Sequence, residues 1–168
     1  MPGAAAPSIT FRHELRPSDP EAVRHIVAST GFFRPAEVDV AVELPTERLA
    51  RGEASGYHFV LADDEAGGLV GYACFGPIAC TVDSFDLYWI AVDAGRQGRG
   101  LGRLVMREAE RCIRAMGGRR VYIETSSQPL YEPTRRFYLS AGYAEEARLR
   151  DFYTAGDDKV VYVRRLED

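Results

Sequence analysis

The sequence predicts an α+β protein: a mixed, mostly antiparallel sheet of about seven strands, with helices on both faces. Helix-like and strand-like periodicities follow one another in the order β-α-α-β-β-β-α-β-α-β-β, so strands come in groups instead of alternating strictly with helices. One strand–helix–strand unit in the middle of the chain supplies a parallel splice. The length, 168 residues, suits one domain with a sizeable core. Residues 1–8 are expected to be a flexible N-terminus and residues 9–168 a single domain.

Each element has a local reason. "ITFRHEL", 9 to 15, alternates as a strand does. "PSDPEAVRHIVASTG" then starts a helix, with Asp19 as cap, Pro20 in the first turn and Gly31 at the stop. A second helical stretch runs from about Pro35 to Arg51, and Pro45 is expected to break it in two. "YHFVLADD" and "GLVGYACFG" flank "DEAGG" as a hairpin. "SFDLYWIAV", 84 to 92, is the most apolar strand and belongs at the sheet centre.

Leu101, Leu104, Val105, Ala109, Cys112, Ile113 and Met116 then recur at helical spacing, with arginines and Glu110 on the other face, until Gly117 and Gly118. "RRVYIETS" is a strand. Pro133 opens a helix that runs to Ala141 and stops at Gly142. "YAEEARLR" and "KVVYVRRL" are two final strands, and "DFYTAGDD" is expected to be the loop between them.

Composition excludes some functions. The net charge of −4 argues against a general nucleic-acid binder, whose affinity comes mostly from neutralising phosphates. Three cysteines without metal-ligand spacing read as free thiols of a reducing compartment, and no metal site is expected. "MPGAAAPS" has neither a basic start nor a long apolar run, which is unlike a signal peptide or a membrane span. The expected location is the cytoplasm, away from membranes.

"RQGRGLGRLV", 96 to 105, concentrates the chemistry. A glycine-rich turn between a buried strand and a helix start suits a phosphate, because the helix offers unpaired N–H groups and about half a positive charge. A Walker A loop would end in Gly-Lys-Ser/Thr, but Gly102 is followed by Arg103 and Leu104. A dinucleotide fingerprint would open the first strand–helix unit and carry a third glycine where Arg103 stands. A turn without a ligand needs one glycine, and three are present.

Gln97-Gly98-Arg99-Gly100-Leu101-Gly102 resembles the Q/R-x-x-G-x-G/A signature of the GNAT superfamily of acyl-CoA-dependent N-acyltransferases, and it stands between a strand and a helix as it does there. "YEPTRRFYLSAGY", 131 to 143, resembles the family's later helix through Phe137-Tyr138 and Gly142-Tyr143. The likeness runs over roughly residues 9 to 166 and is strongest from Asp86 to Tyr143. The family often has Asn where Tyr131 stands and Ala where Thr134 stands, which bears on how the pantetheine arm is held.

The resemblance implies an N-acetyltransferase that moves an acetyl group from acetyl-CoA to a primary amine, by direct attack through a tetrahedral intermediate. The loop, with Arg99 and Arg103, would hold the coenzyme A pyrophosphate, and Tyr131 and Thr134 would touch the pantetheine. Ile90, Ala91 and Val92 would pair with the pantetheine amides where their strand splays from its neighbour. The Ile90 N–H would point at the thioester oxygen, and Tyr138 would be the general acid. A lysine-like amine, with pKa about 10.4, must lose a proton to become a nucleophile, which costs roughly 4–5 kcal/mol at pH 7. Asp86 and Glu124 are both candidates for the base that helps it, through water. Family members are often homodimers.

The acceptor walls are expected from "TGFFRPAEVDVAVEL" and "RDFYTAGDDK". Phe32, Phe33 and Glu37 in the first, and Asp151, Phe152 and Tyr153 in the second, combine aromatic faces with carboxylates, which suits a small amine or amino-acid-like substrate. The alternatives are a protein N-terminal or lysine acetyltransferase, and a non-catalytic acyl-CoA-binding module.

Overall fold

The computed structural model describes residues 8–166. The elements are β1 (Thr10–Arg12), α1 (Asp19–Ser29), α2 (Pro35–Arg51), β2 (His58–Asp63), β3 (Leu69–Pro77), β4 (Ser84–Val92), α3 (Leu101–Ala115), β5 (Arg120–Ser126), α4 (Glu132–Ser140), β6 (Ala144–Thr154) and β7 (Asp157–Arg165). The seven strands form one mixed sheet in the order β1-β2-β3-β4-β5-β7-β6, with β4 in the middle as its apolar sequence demanded. Residues 1–7 of the expected flexible N-terminus lie outside the described residues.

The chain forms two compact units. In the first, built from residues up to Cys74 together with Trp89–Val105, α1 and α2 lay Val23, Ile26, Val27, Val38 and Ala41 on Phe59 and Leu61 of β2 and Tyr72 and Cys74 of β3. The intervening Val60, Ala62 and Ala73 are also fully buried, so both strand faces are covered. Gly71 shows how close the second cover comes: a Cβ there would meet the Ala91 carbonyl at 3.4 Å and Val105 of α3 at 3.6 Å.

Three expectations need correcting. Asp19 does not cap α1: Ser18 occupies the cap position without a side-chain bond. Asp19 instead takes the N–H of Arg16 at 2.6 Å and the guanidinium of Arg12 through two bonds of 2.7 Å. A buried carboxylate needs that charge more than the helix needs a cap. Pro45 does not divide α2, which is continuous from Pro35 to Arg51. Its ring lies on the buried face with Val38 and Ala41, where packing offsets the lost hydrogen bond to the Ala41 carbonyl. The "DFYTAGDD" segment is not a loop. β6 runs through Phe152 and Tyr153 to Thr154, and only Ala155 and Gly156 turn before β7. Aromatic residues favour the strand, and one irregular residue, Asp151 at φ 52°, bends it.

The second unit holds Phe75–Tyr88 and the chain from Met106 onward. Its core gathers Phe85, Met106, Ile113, Val121, Ile123, Tyr138, Tyr143, Val160 and Tyr162. β5 pairs antiparallel with β7 along its whole length, from Arg120↔Arg165 to Ser126↔Lys159. A buried polar junction ties α3 to β7: Glu110 accepts from the Tyr143 hydroxyl at 3.0 Å and from Arg164 at 2.9 Å, and Arg164 also donates to the Ala141 carbonyl at 2.8 Å. Removing one partner strands the others. Glu110→Ala is expected to cost about 3 kcal/mol, the lower end for a broken buried pair because Arg164 keeps 34% of its side chain in water. Denaturant unfolding checks this; a change below about 1 kcal/mol would contradict it.

Candidate active site

The turn between β4 and α3 is built by local hydrogen bonds. The Asp93 carboxylate accepts the Gly95 N–H at 3.0 Å and its carbonyl accepts the Arg96 N–H at 2.8 Å. The Gln97 side chain donates to the Val92 carbonyl at 3.2 Å, which clamps the turn to the strand end. Gly98 and Gly100 then take left-handed backbone, φ 75° and 80°, where a side chain is strained. No heavy atom lies within 4 Å of where either Cβ would stand, so the backbone there is open. The Gly100 carbonyl accepts the Leu104 N–H at 3.2 Å and starts α3. Gly102 sits in the first turn of α3, which holds no acidic residue. Arg99 and Arg103 are exposed beside it, and Arg96 is bound to Asp64 at 2.8 Å. Open backbone at a positive helix end with cations around it fits an anionic phosphate group.

The parallel register of β4 with β5 spans Ser84–Asp86 and Arg120–Tyr122, and ends there among the described residues. Both strands continue, β4 through Ile90, Ala91 and Val92 and β5 to Ser126.

In the second unit, Tyr138 keeps 6% of its surface and packs among aromatic rings, 5.9 Å from Tyr162 and 6.3 Å from Tyr143 between centroids. Burial, and then Tyr162, push its phenol well above the ordinary tyrosine range, so it stays protonated near neutral pH. Tyr131 ends a short 3-10 turn just before α4, and Thr134 lies in the first turn of α4. Arg135 donates to the Ser126 and Gln128 carbonyls at 2.7 and 2.9 Å and so ties α4 to the end of β5.

Asp86 and Glu124 share one sheet face, opposite to that of Phe85 and Val121, since Asp86 is in register with Tyr122 and Glu124 lies two residues on. They are not equivalent. Burial first, and the Glu124 charge second, raise the Asp86 carboxyl above its usual range, while Lys159 works against them. Glu124 is exposed and bound to Lys159 at 2.7 Å. Lys159 also lies 3.7 Å from the centre of the Phe152 ring. Phe152 and Tyr153 are 50% and 48% exposed and meet edge to face.

The other acceptor candidates have structural partners. Phe33 packs on Trp89 at 5.0 Å, and the Glu37 carboxylate accepts the Arg34 N–H at 2.8 Å as part of the α2 cap. Phe32 is half-buried, and its N–H points to the Thr30 hydroxyl. The Asp151 carboxylate accepts the Gly156 N–H at 2.7 Å across the hairpin turn.

Residues 54–145 match the family model of the acetyltransferase (GNAT) domain. A solved GNAT-family structure from Desulfovibrio desulfuricans is 49% identical to this chain, covers 94% of it and 99% of itself, and superposes with a TM-score of 0.92. The chain belongs to the GNAT family of acetyltransferases. An aminoglycoside 6'-N-acetyltransferase complexed with coenzyme A shares the fold at 15% identity, with 96% and 98% of the chains covered and a TM-score of 0.73. The ribosomal-protein-S18-alanine N-acetyltransferase from Escherichia coli shares it at 21% identity, with 96% of each chain covered and a TM-score of 0.74. No curated protein sequence matches.

Among the described residues of this GNAT protein, no helix is long and apolar enough to cross a membrane. Cys74, Cys80 and Cys112 are free thiols. Sequence reasoning missed Lys159 beside the carboxylates. The signal was there, a lysine leading directly into the apolar run Val160–Val163, but its pairing with Glu124 depends on strand register.

Proposed function

We propose that this GNAT acetyltransferase moves an acetyl group from acetyl-CoA to the primary amine of a small amine or amino-acid-like acceptor by direct attack. The observation that carries the reading is the open left-handed turn at Gly98 and Gly100, which presents backbone instead of side chain at the start of α3. Its N–H groups, with Arg99 and Arg103, hold the pyrophosphate, while Gln97 keeps the turn in place. Ile90, Ala91 and Val92 offer backbone to the pantetheine, and the Ile90 N–H faces the thioester oxygen. Bound acetyl-CoA supplies the activated acyl carbon.

The residues of this chain move the protons. Asp86 accepts a proton from the substrate ammonium through water, and the lone pair so freed on nitrogen bonds to that carbon. As the carbon–sulfur bond breaks, Tyr138 gives its proton to the leaving thiolate. Burial raises the proton affinity of Asp86, while Glu124 is held in an ion pair with Lys159 at 2.7 Å, which favours Asp86 as the base. Phe152 and Tyr153 offer half-exposed rings for the acceptor body.

Thiol release from acetyl-CoA, measured with polyamines, amino acids, aminoglycosides and basic peptides, tests the acceptor class. Turnover with peptides alone would replace this reading with protein acetylation, and no turnover with any amine would leave a binding module. Asp86→Asn is expected to lose rate most near pH 7, and the loss should shrink toward the amine's own pKa of about 10, where free amine is abundant. A loss independent of pH would remove Asp86 from the base role.

A further inference from the structure

We infer that Lys159 is a positioning residue that takes Glu124 out of the proton-transfer role and leaves Asp86 as the single base. This rests on the proposed reading of Asp86 as the base. Two carboxylates on one sheet face compete for the same proton. Lys159 resolves the competition by geometry. It stands in register with Ser126 on β5 and Leu149 on β6, so its side chain emerges on the face of Glu124. Its ammonium contacts the Glu124 carboxylate at 2.7 Å and lies over the Phe152 ring at 3.7 Å. The lysine side chain is only 14% exposed, while the Glu124 side chain keeps 51% of its surface in water, so the shielded end of the pair is the ammonium.

The surrounding charges are few. Glu124 and Lys159 are the charged groups acting on Asp86. Glu124 also acts on Tyr153, together with Asp157 and Tyr131. Asp158 is held by Arg148 at 3.4 Å and by the Asp151 N–H at 2.9 Å, which leaves Lys159 as the counter-charge of Glu124. Phe152 gives the ammonium a second, apolar-faced contact that keeps it from swinging into water. A cation so placed screens Asp86 from the neighbouring negative charge.

The test is the pH profile of kcat/KM for the intact enzyme, with acetyl-CoA and the best small amine of the panel. Lys159→Met should move the acid limb up by about one pH unit, because a second unneutralised carboxylate then faces Asp86. Lys159→Arg should restore the limb toward wild type. Glu124→Gln should keep activity and move the limb down, and in that background Lys159→Met should lose most of its effect. An unmoved limb in Lys159→Met, or the same shift with and without Glu124, overturns the inference. A Glu124→Gln enzyme without activity overturns it too, since Glu124 would then be the base. Failure of Asp86 itself shows separately, as an Asp86→Asn enzyme with full rate at neutral pH.

Discussion

Tyr138→Phe is expected to lower turnover by about ten- to a thousandfold while acetyl-CoA affinity barely moves, the signature of a group used in proton transfer and not in binding. The substitution removes one hydroxyl and keeps the ring. The contacts with Phe137, Tyr143 and Tyr162 remain, so the fold should unfold at an unchanged temperature. Burial holds the phenol protonated, which provides a proton but no driving force toward a thiolate whose thiol has a pKa near 8.5. Its benefit must come from position, which is why the loss is bounded and not total. Stopped-flow or steady-state thiol release checks the rate, and calorimetry checks the affinity. A wild-type turnover number in the variant would return Tyr138 to a packing role among its neighbouring rings.

Gly102→Glu is expected to abolish measurable acetyl-CoA binding without unfolding the protein. The first turn of α3 carries no acidic residue, so the new carboxylate would be the first negative charge at that helix start. A carboxylate there should stabilise the helix itself, by about 0.3–1 kcal/mol through the helix dipole. It would do so by occupying the positive end that the pyrophosphate needs, and by repelling it. Binding and stability should therefore move in opposite directions, which separates a lost site from a lost fold. Calorimetry with acetyl-CoA and thermal unfolding of the same sample measure both. Unchanged affinity in a folded variant would sink the assignment of the loop.

Much of this was legible because it is local. The element order follows from periodicities of about 3.6 and 2, and β4 was placed centrally by its strongly apolar sequence. The glycine turn was legible because left-handed backbone is expensive for other residues, and Gly98 and Gly100 do adopt it. The misplacements at Asp19 and Pro45 share one cause: each has a strong local preference that a buried partner or a packed face outweighs. Arg12 claims Asp19 and the α2 core face claims Pro45, whereas at Phe152–Tyr153 the aromatic preference for strand was itself the local signal and the turn shrank to Ala155 and Gly156.

The sequence by itself determined the class of fold, the glycine turn at 97–102 and the helix that carries Tyr138, because these depend on backbone conformations that a few residues select unaided. Only the tertiary structure decided where the β4–β5 pairing ends, which of two carboxylates is desolvated and which is neutralised by Lys159. Those properties belong to strand register and burial, and residues as far apart in the chain as Asp86, Glu124 and Lys159 acquire them only when the sheet brings them to one face.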